Sequence, residues 1–133
     1  MTTTSNTTKS VFVLDDDDFS QDVMAGMLSE LGITEVTTAL NGKNALQQLA
    51  NMSTPPDLLI CDILMPDMDG MDFLMELGKL HYKGKVMLVS GIAEDVLKIA
   101  EDVVRADGIQ LLGAFIKPIK LEDLRRAITQ DSP

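Results

Sequence analysis

The chain has a single cysteine, few basic residues and no long apolar stretch. Because Cys61 is alone, no intrachain disulfide can form, and its place within an apolar run predicts a small buried core residue. Lys and Arg number 11 against 21 Asp and Glu, which gives a formal net charge of -10. A broad nucleic-acid-binding surface needs clustered basic side chains, so direct nucleic-acid binding is not expected.

Signals for membranes, secretion and nucleotides are absent as well. No apolar stretch approaches the length of a membrane span, so no membrane contact is expected. The first nine residues are rich in Thr and Ser and lack the apolar segment of a signal peptide. Neither Gly-x-x-x-x-Gly-Lys nor Gly-x-Gly-x-x-Gly occurs, which argues against nucleotide binding. These features predict a cytoplasmic protein with a disordered tail at residues 1–9 and one domain at residues 10–130.

Short apolar runs alternate with helical patterns along the whole chain. Nearly continuous runs are typical of strands buried on both faces of a parallel sheet. The spacing of Met24, Met27, Leu28 and Leu31 is that of one helix face. The alternation predicts an open, doubly wound α/β fold of five strand–helix units with right-handed crossovers. The predicted strands are Val11–Leu14, Glu35–Ala39, Leu58–Cys61, Val86–Val89 and Leu111–Ile116, and the last three helices are Met71–Leu80, Ala93–Arg105 and Leu121–Thr129.

Polar side chains follow four of these strands at the point where each strand ends. They are Asp15 and Asp16, then Asp62, then Ser90, then Lys117. Ligands of open parallel sheets bind beyond the carboxyl ends of the strands, so these groups should converge. Carboxylates suit Mg²⁺, and an aspartate can become an acyl phosphate. A hydroxyl and an amine can stabilise charge on the transferring oxygens, so the set predicts phosphoryl transfer.

Other polar residues suit ordinary local roles. Asp17 and Asp18 directly precede the first helical pattern, where a short acidic side chain commonly caps a helix. Asn41 suits the same role for the second helix, and Gly32 suits the end of the first.

The residues at the strand ends resemble the receiver domains of two-component response regulators. The resemblance runs from Val11 to Ile128 and implies a flavodoxin-like, three-layer sandwich. Its five-stranded sheet would have the order 2-1-3-4-5 and five helices, as in the chemotaxis receiver. The segments that carry the resemblance are residues 11–17 (VFVLDDD), residues 62–70 (DILMPDMDG), Val89-Ser90-Gly91 and Phe115-Ile116-Lys117-Pro118.

The resemblance implies a role for each residue of the predicted site. Asp62 would accept a phosphoryl group from a sensor histidine kinase or a histidine phosphotransfer protein. Ser90 would move to contact that group, Lys117 would pair with its oxygens, and the bond from Lys117 to Pro118 would be cis. The implied Mg²⁺ ligands are Asp15, Asp16, Asp62 and the backbone carbonyl of Leu64.

The resemblance also implies a switch and not an enzyme, since such a domain promotes only its own phosphorylation and dephosphorylation. Phosphorylation would shift a conformational equilibrium that controls an effector protein or a fused output domain. The segment from Gln110 to Pro118 resembles receivers fused to cyclic-di-GMP phosphodiesterases, which makes that domain a candidate output. Two features depart from the family pattern. Ala114 stands where Tyr or Phe is usual, with Phe115 one position later, and the segment between Ser90 and Lys117 is long.

Two other functions remain open. A haloacid-dehalogenase-type phosphatase would use Asp15 as its nucleophile within an Asp-x-Asp motif that Asp17 completes. That interpretation lacks an acidic pair after a strand downstream of Lys117 and leaves the Asp62 segment unexplained. A phosphorylation-independent binding module of the receiver type would not need all of these polar groups.

Overall fold

Five parallel strands form one sheet with helices on both faces, and each helix follows a strand in the chain. The computed structural model describes residues 8–63, 70–91 and 94–129. The strands are β1 (Ser10–Leu14), β2 (Glu35–Ala39), β3 (Leu58–Asp62), β4 (Lys85–Ser90) and β5 (Gln110–Ile116). The helices are α1 (Asp18–Glu30), α2 (Gly42–Asn51), α3 (Gly70–Lys79), α4 (Glu94–Ala106) and α5 (Leu121–Thr129).

The strand order is β2-β1-β3-β4-β5, with every neighbouring pair parallel. This confirms the predicted fold class. All residues of β3 and β4 are buried, including the predicted apolar runs Leu58–Cys61 and Val86–Val89. In β2, at one edge of the sheet, burial is partial, and its sequence alternates accordingly. None of the helices in residues 8–63, 70–91 and 94–129 combines the length and the apolar character of a membrane span.

Two hydrophobic cores lie on opposite faces of the sheet. Phe12 of β1 belongs to the core beneath α2, α3 and α4, together with Phe73 and Leu97. Its neighbour Val13 points the other way, into the core beneath α1 and α5 with Leu124. Because successive strand side chains alternate, one buried strand feeds both cores. The result is the predicted three-layer sandwich.

The predicted roles of Asp17, Asn41 and Gly32 at helix ends are confirmed, whereas Asp18 is the first residue of α1. Asp17 caps α1, and its carboxylate accepts hydrogen bonds from the backbone N–H of Phe19 at 3.3 Å and the Ser20 hydroxyl at 2.9 Å. The bond from Ser20 holds the pKa of Asp17 below its usual value. Asn41 caps α2, and Gly32 follows α1 with a φ of 89°, a left-handed conformation that glycine adopts without strain.

The last strand contains a bulge that the sequence pattern did not indicate. Val86 pairs with Leu111, but the next residue of β4 pairs with Gly113, so Leu112 is an extra residue. Beyond the bulge, Ala114 packs against the core on the α4 side. Phe115 packs on the opposite side, and a Cβ at position 113 would lie 3.1 Å from its ring. The long segment before Lys117 is therefore a 13-residue α4 followed by a bulged strand.

Hydrogen bonds connect the first described residues to the rest of the domain. Thr8 donates its N–H to the carbonyl of Ile128 at 3.0 Å. Lys9 donates its N–H to the Asp57 carboxylate at 2.9 Å. Residues 1–7 of the predicted tail lie outside the described residues.

Gly84 sits where two other groups leave no room for a side chain. A Cβ there would meet the Tyr82 hydroxyl and lie 2.8 Å from the carbonyl oxygen of Pro56, which itself accepts a hydrogen bond from Tyr82. We expect Gly84→Ala to destabilise the domain by roughly 1–3 kcal/mol through this overpacking. Gly26 in α1 has nothing within 4 Å of the place that a methyl group would take, so Gly26→Ala should instead stabilise by about 0.5–1 kcal/mol. Urea unfolding of both variants checks the opposite signs, and equal effects would contradict the packing argument.

Candidate functional site

Three carboxylates meet at the carboxyl edge of the sheet. Leu14 of β1 pairs with Cys61 of β3, so the residues that follow them, Asp15 and Asp62, stand side by side. One oxygen from each of these and from Asp16 lie within 4.8 Å of one another. Asp15 and Asp62 are each only 4% exposed, whereas Asp16 is exposed. The cluster is thus buried at Asp15 and Asp62 and open to solvent at Asp16.

Lys117 completes the cluster from the end of β5. Its Nζ lies 2.8 Å from Oδ2 of Asp15 and 2.8 Å from Oδ2 of Asp62. Partial burial would by itself lower the pKa of Lys117, but the two carboxylate bonds outweigh it and leave that pKa above its usual value. The Lys117–Pro118 bond is cis, as the resemblance implies. The ammonium is therefore held as a cation between the two acids.

Ser90 borders the cluster through its backbone. Its carbonyl accepts the N–H of Lys117 at 2.8 Å, and its side chain is fully buried. Strand alternation places it on the face of Leu88, opposite the face that Asp62 shares with Ile60. The structure thus brings together Asp15, Asp16, Asp62 and Lys117, and the contact of the Ser90 hydroxyl with a phosphoryl group stays a prediction.

The sequence pattern did not reveal Gln21 as part of this region. Gln21 lies on α1 and is buried, and its Nε2 donates to the carbonyl of Asp15 at 2.9 Å and of Ala39 at 2.8 Å. The available signal was its spacing from Met24 and Leu28, which places a polar residue on the inward face of the helix.

The donor set of the cluster fits Mg²⁺. Mg²⁺ prefers hard oxygen ligands and binds proteins through one or two carboxylates while keeping waters or phosphate oxygens. Asp15, Asp16 and Asp62 supply such oxygens, and they form the one such group of three among residues 8–63, 70–91 and 94–129. Leu64, the fourth predicted ligand, lies outside the described residues.

The geometry does not favour the phosphatase alternative. Its Asp-x-Asp motif would need Asp15 and Asp17 to act together, but the Asp17 carboxylate caps α1. The acid that joins Asp15 in the cluster is Asp62, which that alternative left without a role.

A parallel sheet in this order, with an acidic cluster and a lysine at its carboxyl edge, defines a flavodoxin-like receiver-type domain. Comparison with known families agrees. The model of the response regulator receiver domain matches residues 11–129, and the chain belongs to that family.

Relatives and solved structures are consistent with this family. The chemotaxis protein CheY of Bacillus subtilis is 26% identical over 120 residues, which cover 90% of this chain and 94% of that protein. A protein-glutamate methylesterase/protein-glutamine glutaminase of Treponema denticola is 32% identical over 93 residues. That match covers 69% of this chain but only 24% of the relative, so the chain spans about a quarter of its length. A response regulator structure from Colwellia psychrerythraea is 27% identical with a TM-score of 0.77, covering 91% of this chain and 94% of that one.

Proposed function

We propose that this receiver domain is a phosphoryl acceptor that works with Mg²⁺. Asp62 takes the phosphoryl group from a sensor histidine kinase or a histidine phosphotransfer protein in the cytoplasm. The modified domain then changes conformation and controls an effector protein or a fused output domain. The observation that carries the proposal is the placement of Lys117 Nζ 2.8 Å from both Asp15 and Asp62 beside a third carboxylate.

The position of Asp62 in the sheet favours it as the acceptor. Both oxygens of Asp15 are held, Oδ1 by the backbone N–H of Asp17 at 2.9 Å and Oδ2 by Lys117 at 2.8 Å. Asp62 ends β3, the middle strand of the five, between the acids that follow β1 and the lysine that follows β5. The groups needed around a transferring phosphoryl group thus surround Asp62.

The ligands of the ion would be Asp15, Asp16 and Asp62, together with the predicted carbonyl of Leu64. When bound, Mg²⁺ would supply positive charge that offsets the oxygens of the phosphoryl group and of the acids. In the structure, the ammonium group of Lys117 donates hydrogen bonds to two of these carboxylates, those of Asp15 and Asp62.

The reaction forms an acyl phosphate. An oxygen of the Asp62 carboxylate attacks phosphorus, the bond from phosphorus to the donor imidazole nitrogen breaks, and its electron pair stays on the imidazole. Lys117 already donates to Asp62, so a short movement lets its ammonium donate to phosphoryl oxygens. The Ser90 hydroxyl is expected to turn toward the same oxygens. The phosphoryl group carries a charge of about -2 in place of the single negative charge of the carboxylate, and it favours the conformation in which these donors reach it.

A groove beside the cluster suits the docking of the phosphodonor. The groove has a volume of about 340 Å³ and includes Asp15 and Lys117 in its lining. Its rim is apolar and open, since Phe19 is 73% exposed and Val23 is 45% exposed, and Ile119 also lines it. A protein that delivers a phosphoryl group to the cluster would lie over this groove and bury these side chains.

The output is a separate part of the proposal. A fused output domain is supported by the methylesterase relative, of which this chain spans only 24%. The resemblance of the segment from Gln110 to Pro118 makes a cyclic-di-GMP phosphodiesterase one candidate for that domain. A separate effector is supported by the CheY relative, of which the chain spans 94%.

Acetyl phosphate provides the direct test of phosphoryl acceptance. The full chain is incubated with it in Mg²⁺ or in EDTA, and the intact mass is measured. We expect the mass to rise by one phosphoryl group in Mg²⁺ and to stay unchanged in EDTA. A chain that is never modified would support the phosphorylation-independent binding module instead, whereas equal modification in EDTA would contradict the role of Mg²⁺.

A further inference from the structure

Gln21 joins three elements directly behind the acidic cluster. Its side chain extends from α1 and donates through Nε2 to the carbonyl of Asp15, directly after β1, and to the carbonyl of Ala39, the last residue of β2. The residue is only 9% exposed, so these bonds are shielded from water. A buried amide without acceptors would lower the stability of the fold, so Gln21 needs these carbonyls in this position.

These bonds fix the peptide group that links the two adjacent acids. The N–H of Asp15 donates to the carbonyl of Ala39 at 3.1 Å, and the carbonyl of Asp15 accepts from Gln21 at 2.9 Å. That carbonyl belongs to the peptide plane between Asp15 and Asp16. Asp16 lies beyond the strand and is exposed, so the direction of its side chain depends on this plane. Holding the plane therefore sets the separation of both carboxylates.

We propose that Gln21 is a positioning residue for the Mg²⁺ site, an inference that rests on the proposed function. It touches neither the ion nor the phosphoryl group and acts by presenting Asp15 and Asp16 in the geometry that the ion requires. Mg²⁺ demands near-ideal octahedral coordination, so a small rotation of one carboxylate weakens binding. Loss of partners that orient metal ligands commonly lowers metal affinity by about 10–100-fold. Because Gln21 holds backbone and not the carboxylates themselves, the lower end of that range applies.

Thermal unfolding of the full chain over a series of Mg²⁺ concentrations at constant ionic strength measures this role. An ion that binds only the folded state raises the unfolding midpoint with concentration, which yields its dissociation constant. We expect Gln21→Met, which keeps the length but removes the donor, to raise that constant about 10-fold. The rate of modification by acetyl phosphate should need correspondingly more Mg²⁺ and return close to the wild-type rate at saturation.

Gln48 is the matched control. Its Nε2 also donates to a β2 carbonyl, that of Thr38 at 3.1 Å, but it does not bond to Asp15. Gln48→Met should therefore keep the wild-type Mg²⁺ dissociation constant. Gln21→Leu serves as the second variant if Gln21→Met does not fold.

The outcomes separate this inference from the proposed function. If the wild type responds to Mg²⁺ and a folded Gln21 variant responds with the same constant, the role of Gln21 is overturned and the proposed function stands. Failure of both Gln21 variants to fold would also overturn it, since the amide would then support the fold and not the ligand geometry. A wild-type chain that shows neither Mg²⁺ stabilisation nor modification overturns the proposed function and this inference together.

Discussion

Replacing Asp62 by Asn is expected to abolish the Mg²⁺-dependent gain of a phosphoryl group from acetyl phosphate. The amide is nearly the same size and keeps an oxygen that can accept from Lys117, so the packing around the site is retained. Its oxygen is a far weaker nucleophile than a carboxylate, and one charged ligand is lost from the cluster. Intact-mass measurement should therefore show unmodified protein even at high Mg²⁺ concentration, and beryllofluoride should not bind.

Asp15→Asn tells the acceptor apart from a neighbouring metal ligand. This change weakens Mg²⁺ binding, so modification should become slow at low Mg²⁺ and recover as Mg²⁺ is raised. Asp62→Asn should not recover. Asp22 on α1 is exposed, and Asp22→Asn should behave as the wild type at every concentration. If Asp62→Asn were still modified and Asp15→Asn were not modified at any Mg²⁺ concentration, Asp15 would be the nucleophile, as in the phosphatase alternative.

The strand ends could be located from sequence because parallel strands buried on both faces are almost continuously apolar. The run that ends at Leu14 and the run that ends at Cys61 each stop at an acid, and the register places those acids side by side. Residues 47 positions apart are thus brought together by topology that the alternation of strands and helices already implies.

The last strand could not be predicted in the same detail. If side chains alternated regularly between the two faces of the sheet from Leu111 onward, Lys117 would lie on the face opposite Asp62. The extra residue at Leu112 changes that count, so that Lys117 reaches Asp15 and Asp62. A bulge arises from pairing with β4, a tertiary contact that the local sequence of β5 does not show.

Gln21 was missed for a different reason. Its acceptors are the backbone carbonyls of Asp15 and Ala39, 6 and 18 positions away, and every residue type carries such a carbonyl. Patterns of side-chain type therefore do not reveal them. The helical spacing shows that Gln21 faces inward, but its acceptors follow only from the packing of α1 against the ends of β1 and β2.

Lys117→Met is expected to destabilise the Mg²⁺-free domain by roughly 2–4 kcal/mol, because it leaves two buried carboxylates without their shared cation. The methionine keeps most of the length and apolar area of the lysine side chain, so the loss reports charge and hydrogen bonding. Mg²⁺ supplies a replacement cation to the same acids. The gain in unfolding free energy on adding Mg²⁺ should therefore be larger in Lys117→Met than in the wild type.

Lys79 provides the control for removing a paired lysine from a surface. It pairs with Glu76 at 3.1 Å, but its side chain is 71% exposed. Lys79→Met should change stability by less than about 0.5 kcal/mol, with or without Mg²⁺, because solvent screens such a pair. Urea unfolding in EDTA and in saturating Mg²⁺ measures both variants. A stability loss in Lys117→Met no larger than in Lys79→Met would show that the two buried acids do not depend on that ammonium. If Mg²⁺ does not reduce the stability loss of Lys117→Met, the ion does not replace the ammonium beside these acids. That result would contradict a metal site shared with Lys117.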